Sequence, residues 1–479
     1  MHLSSVPSWV YETIVYQIMP DRFANGNKDN DPPGTYEWGE RPIRSSFFGG
    51  DLQGIIDHLD YLQDLGVETL YLTPIFAAPT THKYDASDYF TIDPAFGDLE
   101  VFTRLVRKLH DRNMRLMLDG VFNHCGDQHP AFLDAVEKGP ASRTWNWFSF
   151  YGYPVKKRPP NYKHGGIYYL PKWNIKNPEV RKYLQDVVVY WTRQGIDGWR
   201  LDVPWYIDEH EFWKELRVLV RDINPEAYII GEHWGDASPY LTGDQFDGAT
   251  DYQLRDIAME FVSGEAGPDG AERAARRLRE LYSLYPFHHR LAMWNLVGSH
   301  DTKRIMTVFR GNVQKVMLMY VLAFTFPGVP QLYYGDEIGL RGGNDPDCRR
   351  CFMWDESKWN HELREFIRRL IVLRRSYPAL QTGYWELLHA EGGLLVFQRR
   401  KGMDVVIVAI DNGNGEGRFI LPCFSGDGQT VDRWYDVLQF SRGSREERQI
   451  YDAGSELKNI GQTPCAWIFT PSGPSEHHR

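Results

Sequence analysis

The feature that most constrains this chain is an alternation of short apolar runs with longer amphipathic stretches. The runs are TIVYQIMP (13–20), ETLYLTPIF (68–76), RLMLDGVFN (115–123), GWRLDV (198–203), AYIIGEHW (227–234), MWNLVGSH (293–300) and VPQLYYGDEIG (329–339), and a weaker one within DQFDGATDY (244–252) supplies an eighth. Helix-like segments lie between them at 51–65, 98–112, 178–194, 209–223, 270–284 and 312–326. Short apolar runs read as buried strands, and their alternation with helices makes a parallel sheet. Eight such units favour a closed (β/α)8 TIM barrel over an open doubly wound sheet. No G-x-G-x-x-G follows any of the runs, which also weakens the open-sheet alternative.

Two interruptions divide the pattern. The gap between the third and fourth runs is too long for a loop and one helix. Its first part, rich in aromatics and turn formers (TWNWFSFYGYP), reads as an inserted subdomain at 124–169. Beyond about residue 380 the runs become short strands divided by Gly and Asp, as in a C-terminal antiparallel β-sandwich. The expected domains are therefore a barrel at 1–123 and 170–380, the insert at 124–169, and the sandwich at 381–479.

In a barrel, function sits where strands end and loops begin. Asp119, Asn123, His124, Arg200, Asp202, Glu232, His300 and Asp301 all fall there. Any one of them alone reads as a helix cap. Three strand ends that each bring a carboxylate to one mouth are harder to explain that way. Arg200 and Asp202 are two apart and share a face of their strand, with Leu201 turned outward. One chemistry open to this set is a metal site drawn from Asp119, His124, Glu232, His233, His300 and Asp301. It lacks a tight ligand spacing, and Arg200 would repel a cation. The other is glycoside cleavage by paired carboxylates with a third stabilising charge. There Arg200 has a use, because a cation beside an aspartate lowers its pKa and keeps it ionised.

Composition narrows the partners. The net charge is −10, which argues against nucleic acid. Aromatic residues make up 14% of the chain, enough for both a large core and a cleft lined with flat rings. The five cysteines are scattered and odd in number, so no disulfide framework is expected, and the lone C-x-x-C at Cys348 and Cys351 does not make a zinc site. No signal peptide or membrane span is read, so a cytoplasmic setting is expected.

The spaced motifs DGVFNH (119–124), GWRLDV (198–203), GEHW (231–234) and VGSHD (297–301), in that order, resemble those of the α-amylase superfamily of glycoside hydrolases. GVETLYLTPIF (66–76) matches that family's second-strand motif. LPKWN (170–174) is similar to the MPKLN stretch of the neopullulanase, cyclomaltodextrinase and maltogenic amylase subfamily, departing at Leu170 and Trp173. HKYDASDYFTIDPAFGD (82–98) and DPDCRR (345–350) look like the same subfamily. The resemblance implies a retaining α-glucan hydrolase acting on α-1,4 and α-1,6 bonds of maltooligosaccharides, cyclodextrins, pullulan or starch, with transglycosylation. It implies Asp202 as nucleophile, Glu232 as general acid/base and Asp301 as transition-state stabiliser. Arg200 would orient Asp202, while Tyr84, His124, His300, Asp345 and Arg349 would hold the sugar. Relatives often carry small or polar residues after the nucleophile. Here Pro204, Trp205 and Tyr206 offer a stiff turn and two rings, and Trp205 or Tyr206 is expected to stack on the acceptor sugar.

NGNKDNDP (25–32) with GGD (49–51) is first of all a turn-forming composition. It is not an EF-hand: counting from Asn25, Asn30 stands at position 6 and Tyr36 at position 12. It is similar to the subfamily's calcium loop, which implies a structural calcium ion on Asn25, Asn27, Asn30, Asp31, Gly49 and Asp51, and no organic cofactor. The subfamily's extra N-terminal β-domain is not seen ahead of the first strand, so the expected state is a monomer, or a dimer not built on that domain. The alternatives are an α-glucosidase or transglucosidase for another small α-glucoside, a metal-dependent barrel hydrolase, and a non-catalytic amylase-like subunit.

Overall fold

The computed structural model describes residues 6–265, 267–423, 430–438, 450–459 and 464–471. Eight parallel strands form the barrel: β1 (Val15–Ile18), β2 (Thr69–Leu72), β3 (Arg115–Gly120), β4 (Gly198–Leu201), β5 (Tyr228–Gly231), β6 (Gly248–Ala249), β7 (Trp294–Leu296) and β8 (Val329–Tyr333). Their order is β6-β5-β4-β3-β2-β1-β8-β7, and a parallel bridge from Thr250 to Trp294 closes the ring.

Alternation along the strands sorts the side chains into two sets. Val15, Tyr71, Met117, Tyr228, Ile230, Trp294 and Val329 point inward and pack with Val10 of an N-terminal 3-10 turn. Tyr16, Leu70, Leu118, Trp199, Leu201 and Ile229 point outward into the layer of helices. Leu201 therefore faces out, as its parity requires. The weak eighth run is the two-residue β6. A Cβ at Gly248 would lie 2.0 Å from the Ala292 carbonyl, so close backbone approach keeps this strand short and poor in side chains. The six helix-like segments are all helical, although 51–65 is two helices, Leu52–Asp57 and Leu59–Leu65. Two further helices, Tyr252–Ser263 and His361–Ser376, are not apparent from the sequence pattern.

The segment after β3 carries a helix, Pro130–Lys138, and an aromatic cluster in which Trp173 stacks on Phe148 at 5.0 Å. Its end returns to the barrel mouth through bridges such as His124 to Lys172. The C-terminal strands are β9 (Tyr384–Glu391), β10 (Leu394–Lys401), β11 (Asp404–Asp411), β12 (Gly417–Ile420), β13 (Arg433–Asp436), β14 (Ile450–Asp452), β15 (Glu456–Asn459) and β16 (Cys465–Thr470). Six form an antiparallel sheet, β9-β10-β11-β16-β13-β14, and β12 pairs with β15. The two sheets share a core containing Val396, Ile407, Leu421, Trp434 and Leu457. The ends of the expected domains, 1–5 and 472–479, lie outside the described residues.

Candidate active site

A cavity of about 650 Å3 opens at the C-terminal ends of the strands. Asp202, Glu232, Asp301, Tyr84, His124, His300, Asp345, Arg349 and Tyr206 all line it. The centre is built by register. β3 and β4 pair Asp119 with Arg200, so both side chains enter the barrel at one level. Arg200 lies beneath the cavity, 3% exposed. Its Nη1 donates to both Asp119 oxygens at 2.9 Å and to Asp202 Oδ1 at 3.0 Å, and its Nη2 lies 3.0 Å from Glu232 Oε2. One planar guanidinium thus joins three buried carboxylates, which is the use a forked cation has and a point charge lacks.

Glu232 is held by two more donors, the Val203 N–H at 3.1 Å and the Trp234 indole N–H at 3.1 Å. Val203 has φ of +36°, which is unusual for a β-branched residue and costs on the order of 1–3 kcal/mol. That conformation aims its N–H at the carboxylate. Trp234 in turn stacks on Tyr252 at 3.7 Å and 6°. Asp301 faces the cavity between Arg349 Nη2 at 3.1 Å and His300 Nε2 at 3.2 Å, and Arg349 Nη1 also pairs with Asp345 at 3.2 Å. Tyr84 packs parallel to His300 at 5.5 Å, and its hydroxyl donates to Asp119.

The electrostatics correct one expectation. Arg200 does pull the Asp202 pKa down, but burial outweighs it, and Glu232, Asp119 and Asp301 push the same way as burial. Asp202 therefore sits well above the usual carboxylate range in the free site. Burial also raises Asp119, against Arg200, Tyr71 and Tyr84. One cation among several close carboxylates opposes burial and mutual repulsion only in part, which is why Asp202 and Asp119 both shift upward. Burial lowers His124 to about 4 and His82 to about 3, and it drives His300 well below its ordinary value.

Tyr206, 53% exposed, lines the cavity wall, whereas the half-buried Trp205 ring packs edge-on against His233 at 5.2 Å and against the core. The nitrogens of His124 are already engaged, by the Asn123 amide and the Tyr84 carbonyl, both at 3.1 Å. Tyr71, Gln17, Gln331 and Trp234 belong to the site's support and were not singled out as site residues. Inward parity in an otherwise apolar strand is the signal that marks the first three.

At the 25–51 loop, Asn25 Nδ2 donates to Asp31 at 2.8 Å. Asp51 accepts from Gly26, Asn27 and Gly54 backbone N–H groups and from the Asn30 amide. The Asn25 and Asn30 Oδ1 atoms are buried with no hydrogen-bond partner among the described residues. Asn27 is turned away, its Oδ1 accepting from the Asp29 N–H at 3.1 Å. Gly49 has φ of +77°, and a Cβ there would meet Asp31 at 2.2 Å. Among the described residues, no three His, Cys, Asp or Glu side chains converge as metal ligands would.

The family model for the alpha amylase catalytic domain matches residues 17–367. The chain is 48% identical over 426 residues to a cyclomaltodextrinase of Geobacillus thermopakistaniensis (strain MAS1), an alignment covering 88% of this chain and 72% of that protein. It is 44% identical over 414 residues to an intracellular maltogenic amylase of Bacillus subtilis (strain 168), with coverages of 85% and 70%. Among solved structures, the cyclic alpha-maltosyl-(1→6)-maltose hydrolase from Arthrobacter globiformis superposes with a TM-score of 0.85 at 39% identity, covering 96% of this chain and 100% of that one.

Proposed function

The chain belongs to the alpha-amylase family of glycoside hydrolases, and from that premise we propose a retaining enzyme for α-glucans, cleaving α-1,4 and α-1,6 bonds of maltooligosaccharides, cyclodextrins, pullulan or starch. The observation that carries this reading is the Arg200 fork holding Asp119, Asp202 and Glu232 in one cavity with Asp301. The relatives named for cyclomaltodextrin, maltogenic and (1→6)-linked cyclic substrates support the substrate class.

Asp202 attacks the anomeric carbon while Glu232 protonates the departing glycosidic oxygen, leaving a glycosyl ester on Asp202. The step needs the proton on Glu232 and the charge on Asp202, and the Arg200 hydrogen bond to Asp202 Oδ1 favours that charge. The transition state is cationic, so Asp119 and Asp301 stabilise it through space. Glu232 then removes a proton from water, or from the hydroxyl of a second sugar, and the ester is released with net retention. Tyr206 borders the cavity in the turn that follows Asp202, where it would stack on an acceptor and favour transfer to sugar. A non-catalytic subunit has no use for three carboxylates on one cavity.

A structural calcium ion belongs to the same reading. Asn25 and Asn30 Oδ1, the Asp31 carboxylate and the Gly49 carbonyl make an oxygen set of the kind a hard cation takes. Asp51 spends its lone pairs on N–H donors and caps the helix Leu52–Asp57, so it would act as the loop's anchor. The bound ion would neutralise Asp31 and tie this loop to that helix. A cytoplasmic setting is supported by the intracellular relative.

The test is a chromatographic product profile from β-cyclodextrin, pullulan, starch and maltotriose, with Asp202→Asn alongside. Ring opening and cleavage to short maltosaccharides, lost in the variant, is the expected result. Full activity in Asp202→Asn, or cleavage confined to sucrose- or trehalose-type sugars, would overturn it.

A further inference from the structure

Two glutamines stand in the barrel interior and do not line the cavity. Gln17 on β1 and Gln331 on β8 are buried among inward side chains that are mostly apolar. Gln331 Nε2 donates to the Leu332 carbonyl at 3.3 Å and to Gln17 Oε1 at 3.0 Å. Gln17 Nε2 lies 2.6 Å from His300 Nδ1.

The direction of this chain is not free. A backbone carbonyl only accepts, so Leu332 decides which end of the Gln331 amide is the nitrogen. Gln331 then decides the orientation of Gln17, and Gln17 presents N–H to His300 Nδ1, which must be a bare lone pair. The other end gives the same answer. Tyr84 has one hydroxyl proton and donates it to Asp119 Oδ2 at 2.9 Å. Toward His300 Nε2, 2.7 Å away, it can only accept, so Nε2 carries the hydrogen.

We propose that Gln17 and Gln331 are positioning residues of the reaction: they transmit the direction of the Leu332 carbonyl and hold His300 as a neutral Nε2–H donor beside Asp301. An imidazolium at that place would cancel the charge that Asp301 offers a cationic transition state. The neutral ring orients Asp301 without doing so. Other charged groups also bear on His300: Arg349 and Arg200 disfavour its charge, while Glu232 and the neighbouring Asp301 favour it. Asp301 and, through the Tyr84 hydroxyl, Asp119 place acceptors at Nε2, and the amide relay fixes the other side of the ring by keeping Nδ1 bare. The catalytic consequence rests on the function proposed above, whereas the tautomer does not.

The experiment labels the histidines with 15N and reads His300 by long-range proton–nitrogen NMR, assigning its signals by their loss in His300→Gln. The parent should show a protonated Nε2 and an unprotonated Nδ1. In Gln331→Met the Gln17 amide is free to turn its oxygen toward His300, so an Nδ1–H population should emerge. Its kcat should fall about 10-fold, with KM changed much less. Gln17→Glu keeps the volume and places an acceptor at Nδ1. It should protonate Nδ1 and move the acid limb of the pH–rate profile to higher pH. Restoring glutamine in each variant should restore both readouts. An unchanged tautomer in both variants overturns the proposal, as does a changed tautomer with unchanged kcat. If the parent cleaves no α-glucan the functional reading fails, and the NMR result still decides the tautomer.

Discussion

Replacing Arg200 with lysine keeps the charge and removes the fork. The guanidinium serves Asp119 and Asp202 from Nη1 and Glu232 from Nη2. A lysine ammonium is a single point on a flexible stem and cannot reach all three from one position. Asp119 lies directly across in the strand register, so the ammonium should settle there. Asp202 would lose one charge-assisted hydrogen bond and Glu232 its buried 3.0 Å ion pair, on the order of 1.5–3 kcal/mol apiece. The total is about 3–6 kcal/mol, shared between stability and the barrier. If half falls on the barrier, kcat drops by roughly 10- to 150-fold. Asp202 also loses its nearest cation. Its pKa, already raised by burial, rises further, and its ionised form begins to fail at a higher pH. The assay is reducing-sugar release from maltotriose across pH, with thermal melting in parallel. Activity within twofold of the parent, or a loss confined to KM, would refute the reasoning.

Tyr206→Ala should lower the ratio of transfer to hydrolysis with maltose as acceptor, whereas Trp205→Ala should leave that ratio unchanged and lower the melting temperature, because only Tyr206 faces the cavity. Chelation should lower the melting temperature by about 3 °C if the ion is present at a hundred times its Kd, and Asp31→Asn should abolish that difference. His129 is buried, its pKa held down to about 4 by that burial, and it caps the helix Pro130–Lys138 through Nδ1. Its folded value lies below the ordinary value of 6.5, so it supplies stability above pH 6.5 that is lost as pH falls toward 4. Denaturant titrations of His129→Asn, which keeps a cap, should show a slope against pH shallower by up to about 1.4 kcal/mol per unit in that window; an unchanged slope would count against it.

The barrel was legible because strand length, apolar content and helical period agree over most of its units. The exceptions have local causes. β6 is weak because Gly248 must approach Ala292, and the helix Tyr252–Ser263 follows it almost directly, so no clear strand signal sets that helix apart. At the site, strand parity puts Arg200 and Asp202 on one face, and the motifs mark which carboxylates converge. Sequence could not say that Arg200 reaches Asp119 and Glu232 as well, because that depends on cross-strand register. Nor could it separate Trp205 from Tyr206, since adjacent rings part only when the 3-10 turn Pro204–Tyr206 is formed. The sign of the Asp202 shift was missed for a related reason. One neighbour, Arg200, was visible in the strand, while the burial and the other three carboxylates come from the assembled fold.

The central claim is a double displacement with Asp202 as nucleophile and Glu232 as acid/base, and it can be tested directly. Glu232→Gln, supplied with α-maltosyl fluoride, has a leaving group that needs no acid but lacks the base for the second step. Mass spectrometry of the intact protein and of its peptides should find a maltosyl adduct on the peptide containing Asp202, discharged by added azide. An adduct on another residue, or steady turnover of the fluoride with no adduct in Glu232→Gln and full activity in Asp202→Asn, would contradict the account.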